Sequence, residues 1–187
     1  RLGVPAVVLT FEPHPRTVLR PEHPVFRLTP LAAKARLLAA LGMDGLVVAT
    51  FDRTFAANPA SVFVDEMLVG RLKLRGAVVG YNFQFGKGRQ GSPATLATAG
   101  ERDGFLVEAI GQVSTDGGTP VSSTAIRTDL IAGDIAAANR HLGYRWFVVG
   151  EVIPGDRRGR EFGYPTANLS LGADCRLRHG VYAVRFE

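Results

Sequence analysis

The residues with the clearest chemical pattern are Gly-Arg-Glu-Phe-Gly-Tyr-Pro-Thr-Ala-Asn at positions 159–168. Glycines let a backbone approach phosphate oxygens closely, and arginine supplies a forked, permanently charged donor. Thr166 and Asn168 are separated by one residue, so in an extended segment both side chains point to the same side, as ligands of one hard cation must. The pattern predicts a phosphate and metal site. The alternative is a basic surface turn between strands.

A second candidate is the segment Thr-Phe-Glu-Pro-His-Pro at positions 10–15. Pro13 and Pro15 restrict the backbone on both sides of His14 and remove local amide donors. Such a rigid loop can form one wall of a pocket. The alternative is a stiff turn with a solvent-exposed histidine.

A third candidate is the loop at positions 79–91, which four glycines interrupt. Asn82 can donate and accept hydrogen bonds, so it can recognise a base or ribose edge. Lys87 and Arg89 can attract phosphate. Phe83 and Phe85 either flank a planar ring or belong to the core, and the whole segment could instead be a flexible surface loop.

The fourth candidate is Ser-Ser-Thr-Ala-Ile-Arg at positions 122–127. Ser122 or Ser123 is expected to cap a helix, and the amides and positive dipole end of that first turn form an anion site. Arg127 lies one turn further on the same face as Ser123, where it could clamp a bound phosphate. Simple capping beside an exposed arginine is the alternative.

Buried strands that alternate with helices should position these segments. Helices are expected to begin at Thr29-Pro30, Asn58-Pro59 and Ser92-Pro93, with two shorter ones after residues 122 and 134. The alternation predicts an α/β fold, a parallel sheet with helices on both faces that binds ligands beyond the carboxyl ends of its strands. The predicted strands are residues 4–11, 45–51, 77–81 and 105–113.

The pattern changes near Tyr144. Residues 147–153 and 181–186 read as strands, with no helical periodicity between them. We expect the start of a β-rich second module there, too short to close a barrel by itself.

Composition narrows the class of partner. The 187 residues have a formal net charge of +5 and are 46% hydrophobic, with no apolar run long enough to span a bilayer and no visible signal peptide. The charge suits anionic ligands, but no run of five basic residues occurs, so we expect small phosphorylated ligands rather than nucleic acid or membrane. The single cysteine, Cys175, fits a reducing cytoplasm.

Taken together, and in their order along the chain, the four segments resemble the bacterial bifunctional riboflavin kinase/FAD synthetase family. The resemblance implies a Rossmann-like nucleotidyltransferase domain at residues 1–145, followed by the beginning of a β-barrel riboflavin kinase domain at residues 146–187. It also implies Mg²⁺-dependent phosphorylation of riboflavin by ATP to give FMN. A second ATP then donates AMP to FMN, which gives FAD and pyrophosphate.

The resemblance also assigns roles to residues. Asn82 and Arg127 would act in catalysis and, with Ser123, Thr124, Gly159, Arg160 and Gly163, would bind ATP. Pro13, His14 and Pro15 would line the flavin side, and Thr166 and Asn168 would be the magnesium ligands.

The sequence departs from the family pattern in two places. No His-x-Gly-His motif occurs in the chain, and the sequence ends before the segment that contains the family's catalytic glutamate. We therefore expect both active sites to be incomplete and the sequence to be a piece of a longer protein. The sequence does not indicate an oligomeric state. The alternatives are a flavin- or nucleotide-binding module without catalysis, and another adenylyltransferase of the same superfamily.

Overall fold

The computed structural model describes residues 2–115, 118–155, 163–164 and 166–186. The chain divides into two compact units. The first contains Arg1–Pro24 and Gly42–Pro120, and the second contains Val25–Leu41 and Val121–Glu187. Each unit is described by itself.

Helices and strands alternate along most of the described chain, as the sequence predicts. In chain order the elements are β1 (Val7–Glu12), α1 (Pro15–Leu19), α2 (Leu31–Ala40), β2 (Gly45–Thr50), α3 (Arg53–Ala56), α4 (Ala60–Val62), a π-helix (Phe63–Arg71), β3 (Gly76–Gly80), a 3₁₀ turn (Lys87–Arg89), α5 (Pro93–Asp103), β4 (Leu106–Ile110), α6 (Ser123–Ala132), α7 (Ile135–Leu142), β5 (Val152–Ile153) and β6 (Asn168–Leu169).

The strands of the first unit form two parallel pairs. β1 pairs with β2, with Val7 opposite Gly45, and β3 pairs with β4, with Gly76 opposite Leu106. Parallel neighbours need a long crossover connection, and helices occupy the chain between them. Parallel pairing is therefore confirmed, although these four strands form two separate pairs rather than one continuous sheet.

Local capping chemistry sets the boundaries of α5. The Ser92 hydroxyl accepts a hydrogen bond from the Thr95 amide at 3.2 Å, and Gly104 ends the helix at φ +77°. The start at Ser92-Pro93 agrees with the prediction. The start after Asn58 differs, because Pro59 is the N-terminal cap of α4 and makes no side-chain cap bond.

The core of the first unit lies on one side of β3 and β4. Most of its buried residues lie on the π-helix and α5, and the others on α4, in the loop after β3 and directly before β4: Ala60, Phe63, Val64, Leu68, Phe85, Leu96, Ala99 and Phe105. On the opposite side, Val78 and Leu106 are 69% and 65% exposed. The expectation of helices on both faces is therefore wrong for this pair.

The helices α6 and α7 form the core of the second unit. Ser122 caps α6 by accepting the Ala125 amide at 3.1 Å, and Asp134 caps α7 by accepting the Ala137 amide at 2.8 Å. The buried cluster consists of Phe26, Leu28, Ile126, Leu130 and Ala138. Both helix starts are as predicted, with Ser122 rather than Ser123 as the cap.

Helix α2 corrects two expectations. Pro30, not Thr29, is its cap residue, and no side-chain cap bond forms. The sequence also places Leu31, Ala35, Leu38 and Leu41 at helical spacing, which predicts that they form one buried apolar stripe. That prediction is wrong, because Ala33 is the buried residue and Leu41 is 73% exposed. Alanine and leucine occur on several faces of this helix, so hydrophobic periodicity alone does not identify the face that is buried.

The expected C-terminal strands form only in part. Of residues 147–153, only β5 is a strand, and it pairs antiparallel with β6. Residues 181–186 lie in no strand, and Val181 is fully exposed. A strand needs a partner for its backbone hydrogen bonds, and these residues have no ladder. Among the described helices, none has the length and apolar character needed to cross a membrane.

Candidate functional site

The loop after β1 is built around His14. Its Nδ1 accepts a hydrogen bond from the Arg16 amide at 3.1 Å, and its carbonyl accepts one from the Thr17 amide at 2.8 Å, which starts α1. With Nδ1 acting as an acceptor, the neutral ring has its proton on Nε2. The ring is half-buried rather than solvent-exposed, so the histidine is a structural cap whose orientation is fixed.

Backbone hydrogen bonds close the loop after β3 at its base. Phe85 and Gly91 exchange amide-to-carbonyl bonds of 3.2 and 2.9 Å. Gly86 has φ +73°, and a Cβ there would lie 2.6 Å from the Ala60 backbone, so the close approach requires glycine. Lys87 and Arg89 are exposed near the tip, which presents two cations on an anchored loop.

Asn82 and the two phenylalanines of this loop have different environments. Asn82 is exposed in the turn directly after β3. Phe85 is buried, and Phe83 stacks on it with ring centroids 5.4 Å apart. The core alternative therefore applies to the phenylalanines, and Asn82 remains available at the surface.

A chain of aromatic contacts connects the loops after β1 and β3. The Phe11 ring lies 6.3 Å from the Phe63 ring, which lies 5.3 Å from the Phe85 ring. Tilted aromatic pairs at such distances stabilise a core beyond their buried area. His14 and Asn82 each lie three residues from an end of this chain of rings, so one core positions both loops.

The first turn of α6 holds the polar residues of the fourth candidate. Ser123 and Thr124 are exposed and Arg127 is half-buried. The Arg127 Nε donates to the Phe26 carbonyl oxygen at 2.7 Å, which fixes the root of the guanidinium. The amides and dipole of this turn favour an anion. The structure thus brings together an arginine and a helix start in the second unit.

The decapeptide at positions 159–168 lies only partly within the described residues. Gly159 and Arg160 lie outside the described residues, whereas Gly163, Thr166 and Asn168 are exposed. Asn168 belongs to β6 opposite Ile153, and a Cβ on Gly155 would overlap its carboxamide.

The donor chemistry of Thr166 and Asn168 fits magnesium. A hydroxyl and an amide oxygen suit Mg²⁺, which takes few protein oxygens and completes its shell with water and phosphate. Within the described ranges, no three histidine, cysteine, aspartate or glutamate side chains are grouped so as to hold a metal ion.

A groove of about 440 Å³ lies between the π-helix and α5 of the first unit. Asp65 and Arg102 lie on its two walls and form an ion pair. Arg102 also bonds Asp103, and this contact lowers the pKa of the Asp103 carboxyl. None of the lining residues is among the predicted site residues: Ala60, Ser61, Val64, Asp65, Ala94, Thr95, Thr98, Ala99 and Arg102.

Comparison with protein families shows which family the chain belongs to. Residues 1–125 match the family model for FAD synthetase. The chain belongs to the FAD synthetase family. Residues 142–187 of this FAD synthetase family member also match the model for riboflavin kinase. The resemblance seen in the sequence is therefore confirmed.

Curated relatives are named for two activities. The chain is 39% identical over 182 residues to the bifunctional riboflavin kinase/FMN adenylyltransferase of Escherichia coli strain K12. The aligned residues make up 97% of this chain and 58% of that protein. It is 37% identical over 187 residues to the protein of that name from Bacillus subtilis strain 168, with 58% of that protein and 99% of this chain covered. The chain thus spans less than two thirds of the length of these relatives.

A solved structure also matches. A Streptococcus pneumoniae protein named for macrolide efflux has a TM-score of 0.74 and 29% identity, with 89% of this chain and 54% of that protein covered. From this match we take the shared architecture alone, since its name describes a different activity.

Proposed function

We propose that the protein acts in FAD biosynthesis, as an FMN adenylyltransferase joined to a riboflavin kinase. One observation carries this proposal: a FAD synthetase match over residues 1–125 is followed in the same chain by a riboflavin kinase match over residues 142–187. The two reactions are consecutive, since the FMN that the kinase makes is the substrate of the adenylyltransferase.

In the adenylyl transfer, a terminal phosphate oxygen of FMN attacks the α-phosphorus of ATP. An oxygen–phosphorus bond to FMN forms, the bond to the β-phosphate bridge breaks, and pyrophosphate leaves. The nucleophile is already anionic, so the reaction needs positioning and charge neutralisation rather than a strong base. We assign neutralisation to Arg127 and phosphate binding to Ser123 and Thr124, supported by their place in the first turns of α6.

The first unit supplies the remaining contacts in this proposal. Asn82, exposed in the turn directly after β3, binds the nucleotide. Pro13, His14 and Pro15 form the flavin side, and the bond from the Arg16 amide to His14 keeps that loop in one shape. The common aromatic core under both loops supports this assignment.

For the kinase step, we propose that Thr166 and Asn168 hold Mg²⁺ and that Gly159, Arg160 and Gly163 bind ATP phosphates. When bound, the ion neutralises phosphate charge and orients the transferred group. We further propose that residues 1–145 form the adenylyltransferase domain and that residues 146–187 begin a barrel. The proposed location is the cytoplasm, whose reducing conditions fit the single cysteine.

A substrate panel tests the proposal. The full-length protein is incubated with Mg²⁺, ATP and one acceptor at a time: riboflavin, FMN, pantetheine phosphate or nicotinamide mononucleotide. We expect FMN and then FAD from riboflavin, FAD from FMN, and no adenylylated product from the other two. Adenylylation of pantetheine phosphate or nicotinamide mononucleotide instead would support another adenylyltransferase. Flavin binding without any product would support a non-catalytic module.

A further inference from the structure

Residues 25–28, which we call the strap, contact three separate parts of the second unit, at Arg127, Trp146 and Asp174. Phe26 and Leu28 are only 4% and 7% exposed and belong to the core around Ile126 and Leu130. The Arg27 side chain lies between these two anchors in sequence and contacts Asp174 instead. Burial of both neighbours limits how far the strap backbone can move.

The strap uses backbone carbonyls to hold two side chains. The Phe26 carbonyl accepts from the Arg127 Nε at 2.7 Å, and the Leu28 carbonyl accepts from the Trp146 Nε1 at 3.0 Å. The first of these bonds involves a charged donor, and such bonds are shorter and stronger than neutral ones. Arg127 thus takes part of its orientation from the peptide group that follows Phe26.

The same peptide group is held from its other side by Asp174. The Asp174 Oδ2 accepts from the Arg27 amide at 3.1 Å and from the Arg27 Nε at 3.3 Å. The Phe26 carbonyl and the Arg27 amide belong to one rigid peptide plane. A carboxylate on the N–H and a guanidinium on the C=O polarise that peptide in the same direction and reinforce each other.

We propose that Asp174, acting through the peptide group between Phe26 and Arg27, is a positioning residue for Arg127. Asp174 lies in the part of the chain that matches riboflavin kinase, whereas Arg27 lies in the part that matches FAD synthetase. The contact therefore links the kinase-matching part to the arginine of adenylyl transfer. This inference rests on the proposed function of Arg127.

The test measures FMN adenylylation by the full-length protein. We expect Asp174→Ala to lower kcat/KM for ATP by about tenfold, the size expected for loss of a hydrogen bond to a charged group. Asp174→Asn keeps an oxygen for the Arg27 amide but loses the charge, so a smaller decrease is expected. Glu151→Ala removes an exposed acidic charge from the same part of the chain and should leave kcat/KM unchanged.

A double-variant comparison separates positioning from a general loss of stability. If Asp174 acts through Arg127, adding Asp174→Ala to Arg127→Ala causes no further decrease in kcat/KM. Independent, multiplying decreases would overturn the proposal. Should Asp174→Ala not fold, Asp174→Asn and Arg27→Ala replace it in the same comparison.

The same variants distinguish a wrong role for Arg127 from a wrong positioning role for Asp174. If Arg127→Ala leaves adenylylation intact, the proposed role of Arg127 is wrong. If Arg127→Ala lowers adenylylation but neither Asp174 variant does so, the role of Arg127 stands and the positioning proposal is wrong.

Discussion

At the scale of single residues, Arg127 is central to the proposed adenylyl transfer. It is half-buried, and partial exclusion of water strengthens the attraction between a guanidinium and phosphate. The sequence predicted its place one turn into a capped helix. It gave no sign of the Phe26 carbonyl that orients the side chain, because a backbone acceptor about a hundred residues away leaves no pattern in residue types.

Replacement of Arg127 should separate the two activities. In the full-length protein we expect Arg127→Ala to reduce FAD formation about 100-fold or more, because a preorganised donor to transition-state charge is lost. Riboflavin phosphorylation should change little. Arg140→Ala, an exposed arginine on α7, is the control. Chromatography of both flavin products measures the effect, and equal loss of FMN and FAD formation would contradict the assignment.

The opposite separation is expected for Asn168. Asn168→Ala should raise the Mg²⁺ concentration needed for half-maximal FMN formation by about tenfold or more, since an oxygen ligand is removed. Adenylylation of added FMN should stay close to normal. Ser170→Ala, at an exposed position two residues further, is the matched control. An unchanged Mg²⁺ dependence of FMN formation would refute the ligand role.

At the scale of elements, prediction succeeded where the determinant is local. Ser92, Ser122 and Asp134 each accept the backbone amide three residues ahead, and the sequence signals for these helix starts are correct. The buried face of α2 and the strand at residues 181–186 depend on distant partners. Those predictions failed because neither alanine-rich periodicity nor β-propensity identifies the neighbour.

The contact between Arg102 and Asp103 predicts that the stability of the fold depends on pH. Hydrogen bonds from Arg102 lower the pKa of Asp103. A group whose pKa is lower in the folded state stabilises the fold above its ordinary pKa of about 3.9, and this contribution is lost as the pH falls through the lowered value. An NMR titration should find the pKa of Asp103 below the ordinary value.

Arg102→Ala should return the pKa of Asp103 to its ordinary range, because its main hydrogen-bond donor is removed. Arg71→Ala, an exposed arginine of the π-helix, should leave it lowered. An unshifted Asp103 in the unmodified protein would show that the ion pair does not persist in solution.

At the scale of the whole molecule, the family match and the α/β architecture agree with the sequence analysis. The pairs β1–β2 and β3–β4 are parallel and their strands alternate with helices, and two of the candidate loops follow β1 and β3. The division into compact units was not anticipated, since Val25–Leu41 belongs with Val121–Glu187. Composition and periodicity describe neighbours along the chain, whereas this grouping arises from the strap and α2 packing with segments far away in sequence.

The proposed adenylyl transfer is tested most directly by following labelled phosphorus from ATP into the flavin products that the full-length protein makes. Riboflavin, Mg²⁺ and ATP are supplied, with the label in the α-phosphate in one reaction and in the γ-phosphate in another. We predict that the γ-label appears in FMN and FAD, and that the α-label appears in FAD but not in FMN. FMN that gains the γ-label while no FAD gains the α-label would contradict the proposed adenylyl transfer.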